Sequence, residues 1–188
     1  MEIKDNKFKN FFKRYGVLTL VCIFSVGVLL AIGLALPVEK EEEQPVNTDV
    51  MTFSLPMESA VVVKDYADDR LQFNESLNRW EIHLAIDLVS ENDNVFAVCD
   101  GVVSSVNSNS LEGCVVEIKH ADGFVSVYSS LSEDVKVKVG DSVASGQLIG
   151  MASESATNES LDGGHLHFAM LKDGVEIDPN NYLDLQNK

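Results

Sequence analysis

Four histidines punctuate the 188-residue chain, and three of them fall in two short motifs. The first motif is His165-Leu166-His167, inside the strand-like run HLHFAML. Alternate residues of a strand point to one face, so the two imidazoles project together. Two imidazoles on one face suit a metal site better than a packed core. The second motif is His83-Leu84-Ala85-Ile86-Asp87. Donors to one zinc ion sit about 2.0–2.2 Å from it, whereas the Cα atoms of His83 and Asp87 would stand roughly 13 Å apart in a straight strand. The backbone must therefore turn between them, with His83 on a loop entering the strand that carries Asp87. Taken alone, this second motif reads more simply as a surface histidine and a solvated aspartate. With His-x-His downstream, the reading becomes a metal site that draws on both motifs.

The elements that must position these residues are strands. From Phe53 onward, short runs rich in Val, Ile, Phe and Tyr alternate with Gly, Asn, Asp and Ser: SAVVVKDY, NVFAVCDGVVSSV, GCVVEIKH, FVSVYSSL, VKVKVG, QLIGMA, HLHFAML and VEID. Ala121-Asp122-Gly123 and Lys172-Asp173-Gly174 supply the positive φ of tight hairpins. The pattern predicts an all-β domain, an antiparallel sheet closed into a barrel-like sandwich, and argues against βαβ units. Residues 70–79 are the one place where a short helical turn fits. Cys99 and Cys114 fall at opposite ends of the hairpin formed by residues 101–106 and 114–119, roughly 20 Å apart at about 3.3 Å per residue. A disulfide needs Cα atoms within about 7 Å, so both are read as free, largely buried thiols.

Ahead of the β region, residues 17–36 (VLTLVCIFSVGVLLAIGLAL) carry no charge. About 20 apolar residues span roughly 30 Å, the core of a bilayer. A secretory signal has a shorter apolar stretch, about 7–15 residues, and a small-x-small cleavage site that Leu36-Pro37-Val38 does not offer. The segment reads as a retained transmembrane helix. Lys4, Lys7, Lys9, Lys13 and Arg14 precede it and the acidic EKEEE follows it, so residues 1–16 stay cytoplasmic and the rest is exported. Residues 37–52 form an acidic tether and residues 53–184 the folded domain. The formal net charge of −16 excludes nucleic acid, which needs clustered Lys and Arg. A protein partner or a neutral ligand suits such a field better.

Together these motifs resemble the lysostaphin-type, or LytM, zinc endopeptidases of bacterial cell walls, whose pattern is His-x-Gly-x-Asp, then Tyr-x-His-Leu, then Gly/Pro-His-Leu-His-Phe-Glu. Here the matching segments are HLAID, Tyr128-Ser129-Ser130-Leu131 and GGHLHFAM, with Asp178-Pro179 and Tyr182-Leu183 closing the domain. The resemblance implies that His83, Asp87 and His167 ligate Zn2+ and leave a fourth position open for water. It makes His165 one of two catalytic histidines and places Ser130 where the other belongs. A hydroxyl cannot carry a proton near neutral pH, and losing a positioned acid–base group typically costs about 10²–10⁴ in rate. Ala169 replaces the usual Glu and Ala85 the usual Gly, so the zinc cradle is kept while its surroundings are eroded. His120 matches a structural position and receives no metal role.

Within that family, the anchor, the acidic tether, the opening from Phe53 to Asp87 and the long SESATNESLDGGHLHF stretch resemble a sporulation branch. Its domain faces the space between forespore and mother cell and binds a mother-cell membrane protein. The expectation is a membrane-anchored, zinc-binding, degenerate peptidase acting as an interaction protein in sporulation. The alternatives are an active zinc-dependent peptidoglycan endopeptidase and an activator of a separate cell-wall hydrolase. A biotinyl or lipoyl carrier, suggested by VKVKVGDSVASGQLIG, would need a modifiable lysine at a hairpin tip, and Lys119 lies within a strand-like run instead.

Overall fold

The computed structural model describes residues 13–16, 24 and 51–185. Contacts divide the chain into Met1–Asp49 and Val50–Lys188, and the fold below is that of the second unit. Among the described residues, no helix is long and apolar enough to cross a membrane. The anchor expected at 17–36 lies, apart from Phe24, outside them.

Twelve strands follow in chain order: β1 (Val61–Lys64), β2 (Ala67–Asn74), β3 (Arg79–His83), β4 (Ile86–Val89), β5 (Asn94–Phe96), β6 (Gly101–Asn109), β7 (Gly113–Lys119), β8 (Phe124–Leu131), β9 (Ser142–Val143), β10 (Leu148–Met151), β11 (Leu166–Lys172) and β12 (Val175–Ile177). Seven of them make one sheet in the order β1-β4-β11-β8-β7-β6-β9, with β12 added to β11. Two small sheets, β10-β5 and β2-β3, complete the domain, and every pairing between strands is antiparallel. The expected β-rich antiparallel class is what the structure shows. The core gathers Ile86, Leu88, Val95, Val103, Val116, Ile118, Tyr128, Leu131, Ile149, Leu166, Phe168 and Met170, all fully buried. Leu166, Phe168 and Met170 alternate with His167 and Ala169 along β11, so one face of that strand serves the core and the other is free for chemistry.

The Asp-Gly turns behave as their composition dictates. Asp122 and Gly123 join β7 to β8 with φ of 52° and 74°, and Asp173 and Gly174 join β11 to β12 with φ of 52° and 82°. Cys99 and Cys114 are free. Two expectations are corrected. Residues 70–79 form no helical turn; they belong to the β2-β3 hairpin, with Phe73 opposite Trp80 and Gln72 opposite Glu81. Asn74 closes its turn by accepting from Leu77 N–H at 2.9 Å, and Asn78 adopts φ 51°. VKVKVG forms no strand either. Its backbone turns at 138–141, where Asp141 N–H reaches Lys138 O at 3.1 Å and Lys138 N–H reaches Asp141 Oδ2 at 3.0 Å. The two-residue β9 follows that turn.

Candidate metal centre

Strand register brings the site together. In β4 and β11, Asp87 stands directly opposite His167; on the far side of β11, His167 stands opposite Ser129 of β8. On the outer side of β4, Lys64 of β1 stands opposite Asp87, an alignment kept by a bulge between Val62 and Lys64. Lys64, Asp87, His167 and Ser129 thus form one row across four strands. Directly opposed residues hold their Cβ atoms about 4.5–5.5 Å apart, which is close enough for their polar ends to meet. His83 enters from another direction. It is the last residue of β3 rather than a loop residue, and the chain bends through Leu84 and Ala85 before β4 begins. This is the turn that a shared ion requires of the His-x-x-x-Asp motif.

A fourth group was not readable from any motif. Glu159 lies in a single 3-10 turn, Thr157–Glu159, on the loop between β10 and β11, and is buried. His83, Asp87, Glu159 and His167 place one donor atom each within 4.8 Å of one another, the group of this kind found among the described residues. His167 Nδ1 lies 2.8 Å from Asp87 Oδ1 and 3.0 Å from Glu159 Oε2. His83 Nε2 lies 3.4 Å from Asp87 Oδ1 and 3.7 Å from Glu159 Oε1. The other nitrogen of His83 faces Asp65 O at 3.0 Å, which fixes the ring with Nε2 inward. Lys64 Nζ bonds Glu159 Oε1 at 2.8 Å and stands 3.7 Å from Asp87 Oδ2.

The electrostatics follow from crowding two carboxylates against two imidazoles. Burial alone would raise the Asp87 carboxyl, but the hydrogen bond from His167 and the adjacent His83 imidazole outweigh it and hold the pKa at about 2. Glu159 is likewise held below the usual carboxylate range: burial is overcome by His165, His167 and Lys64. Burial would lower His167, yet Asp87 and Glu159 raise it to about 10. His165 is raised in the same way, with Glu159 outweighing burial. Lys64 is raised too, since its hydrogen bond and charge pairing with Glu159 overcome desolvation.

Zinc fits these residues. His83 Nε2 and Asp87 Oδ2 are buried without a hydrogen-bond partner, which is costly unless something else satisfies them. Two imidazoles and carboxylate oxygens are the donor types zinc takes.

The remaining sequence-predicted residues are placed as follows. His165 is 1% exposed. Its Nδ1 faces Gly163 O at 2.8 Å, and its Nε2 approaches Glu159 Oε2 at 3.5 Å. Ser130 is fully buried at φ 60°. Two residues of β8, Ser129 and Ser130, are fitted between the pairs Tyr128–Val116 and Leu131–Cys114, where β7 offers only Val115. This is a bulge, which re-aims side chains. Ser130 Oγ donates to Ser153 O at 2.8 Å, and Ser153 Oγ donates back to Ser130 O at 3.0 Å. It is Ser129, not Ser130, that lines the cleft beside His167, Glu159, Asn158 and Glu112. Ala169 pairs with Val127. His120 stands apart from the metal cluster, with Nδ1 on Asp100 O at 2.8 Å and Nε2 on Ser126 Oγ at 2.7 Å.

An antiparallel β domain that sets His-x-x-x-Asp beside His-x-His around one buried cluster has the architecture of a peptidase-family domain with a candidate metal centre. The chain belongs to Peptidase family M23, whose sequence pattern matches residues 81–179. It is 38% identical over 110 residues to stage II sporulation protein Q of Bacillus subtilis, a match covering 57% of this chain and 38% of that protein. It is 32% identical over 85 residues to the peptidoglycan DD-endopeptidase ShyC of Vibrio cholerae, covering 45% of this chain and 19% of that protein. The chain therefore spans well under half the length of either curated relative. Among solved structures it resembles a chain of the SpoIIQ–SpoIIIAH pore-forming complex, with TM-score 0.63 and 30% identity over 72% of this chain and 92% of that one. A zinc-containing peptidase from Vibrio cholerae shares the fold, with TM-score 0.59 and 23% identity over 73% of this chain and 40% of that one.

Proposed function

We propose that this chain is a membrane-anchored M23 domain that holds zinc through His83, Asp87 and His167 and serves in sporulation as a binding partner, not as a hydrolase. The observation that carries the reading is the condition of the two positions where catalytic histidines belong. Ser130 is locked in a buried bulge against Ser153. His165 is sealed from solvent with Gly163 O on one nitrogen and Glu159 beside the other. Bound zinc supplies Lewis acidity toward a water or a carbonyl. Moving the accompanying proton is the task of the chain's own groups, and neither Ser130 nor His165 is exposed to solvent.

The partner side of the proposal rests on the 30% likeness to the chain of the SpoIIQ–SpoIIIAH complex. It is supported by the formal net charge of −16, which favours a protein surface over an anionic polymer. The partner would be a SpoIIIAH-type protein of the mother-cell membrane. Full-length protein in detergent, mixed with the SpoIIIAH-type protein of the same cell, is expected to co-elute with it as a complex. Separate elution of both at micromolar concentration would contradict the partner assignment. The intact ligand set favours a second reading, an active peptidoglycan endopeptidase, and the two readings part on turnover.

A further inference from the structure

We infer that Glu159 is a fourth zinc ligand, so that the ion held by this domain is enclosed by protein donors and has no position open to water or substrate. The inference rests on the zinc reading above and goes beyond it: the family pattern supplies three ligands, and Glu159 lies in none of its motifs.

The spacing is the first support. Four donors at about 2.0–2.1 Å from a tetrahedral zinc stand about 3.3 Å from one another. Glu159 Oε2 stands 3.0 Å from His167 Nδ1 and Glu159 Oε1 stands 3.7 Å from His83 Nε2, beside 2.8 and 3.4 Å for Asp87 Oδ1 to the same two nitrogens. Glu159 thus faces the same pair of imidazole nitrogens as Asp87, and one donor atom from each of the four residues lies within 4.8 Å of the others.

Charge is the second. Asp87 and Glu159 together neutralise a divalent ion, whereas Asp87 alone would leave a buried net positive charge beside the Lys64 ammonium. A buried charge is tolerated only when compensated. Lys64 in turn is paired with Asp162 at 3.4 Å, so the site and its surroundings balance with Glu159 included.

The third support is that Glu159 is not on a swinging loop. Its segment is tied to the β6-β7 turn by Thr157 N–H to Ser110 O at 3.1 Å and Asn158 N–H to Leu111 O at 3.1 Å. It is tied to the β2-β3 turn by Leu161 N–H to Ser76 Oγ at 2.9 Å and by Asn74 Nδ2 to Asn158 O at 3.0 Å. Ser155 Oγ holds it to Leu131 O at 2.9 Å. Lys64 and His165 approach the carboxylate itself from outside, the arrangement that orients a ligating carboxylate. A zinc site with four protein donors is a structural site. Here it would pin β3, β4, β11 and the 153–164 loop to one another.

The test uses full-length protein in detergent, loaded with one equivalent of Co2+ in place of zinc. Tetrahedral Co2+ absorbs visible light far more strongly than five- or six-coordinate Co2+, and excess azide reports an open position. The wild type is expected to give an intense spectrum that azide leaves unchanged. Glu159→Gln is expected to give a spectrum that azide shifts, with zinc affinity reduced by more than the roughly 10–100-fold that losing an outer-shell partner causes. His83→Ala identifies metal bound at this site. If the wild type takes up no metal that His83→Ala abolishes, the zinc reading fails and the inference with it. If it does, but azide shifts the wild-type spectrum, or leaves Glu159→Gln as inert as the wild type, Glu159 is not the closing ligand while the zinc reading stands. The wild-type response to azide decides the point even where the variant does not fold.

Discussion

His165 and His167 both reach the same carboxylate, at 3.5 and 3.0 Å from Glu159 Oε2. In the family pattern these two histidines divide the work, one on the metal and one on the proton. Here the inner nitrogen of His165 is buried and faces Glu159 without a hydrogen bond, and Glu159 shares His167 with Asp87. That His83, Asp87 and His167 converge was legible because the two motifs are tied to strand geometry and one required turn, and the resemblance singled out His167 of the His-x-His pair. Glu159 was not. The segment SESATNESLDGG holds Glu154, Glu159 and Asp162, and nothing in its composition says which acid turns inward. What selects Glu159 is the anchoring of the loop, a tertiary fact. His120 gives a residue-scale prediction away from the metal. Burial lowers its pKa, against a smaller raising effect of Asp100, and Phe53 packs on the ring at 6.1 Å. A histidine whose folded pKa lies below its unfolded value of about 6.5 contributes stability that is present above that pH and is lost as pH falls through the folded value. An NMR titration should place the His120 midpoint below 6.5, with thermal stability declining over the same interval. A midpoint at or above 6.5 would contradict the assignment.

At the scale of elements, the site is a consequence of one lateral row, Lys64, Asp87, His167 and Ser129, drawn across β1, β4, β11 and β8 by register. Two bulges adjust it, one admitting Lys64 and one turning Ser130 away toward Ser153. The alternating runs of β8 and β11 were readable as strands, because one apolar face repeats with a period of two. The β2-β3 hairpin was harder: its apolar residues Leu71, Phe73, Trp80 and Ile82 are exposed, so its pattern does not mark a core. VKVKVG misled in the opposite sense, since its alternation meets a turn at Gly140, where φ is 91°. The loop that carries Glu159 also depends on Gly113 at the start of β7, where φ is 73° and an added Cβ would lie 2.1 Å from Ser155 Oγ. Gly113→Ala should cost more than about 1 kcal/mol in urea unfolding, from strained backbone and the collision together. It should also weaken zinc binding by displacing the loop. Unchanged stability and zinc affinity would show that the loop is not held in this way.

At the scale of the molecule, an acidic M23 domain gathers a candidate metal cluster beside a buried His165 and a buried Ser130. The fold and family were visible in the sequence, because the family's motifs persist around the substituted Ser130, Ala85 and Ala169. The state of the site was less visible: Ser130 announced a missing histidine, but the sealing of His165 behind Glu159 needed coordinates. On the proposed reading, restoring the missing side chain alone is not expected to rebuild an enzyme. The most direct measurement is muropeptide analysis of purified peptidoglycan incubated with zinc-loaded full-length protein. The account predicts no new peptide termini above the metal-free control, for the wild type and for Ser130→His alike. Release of new termini by the wild type that disappears in His165→Ala would contradict it.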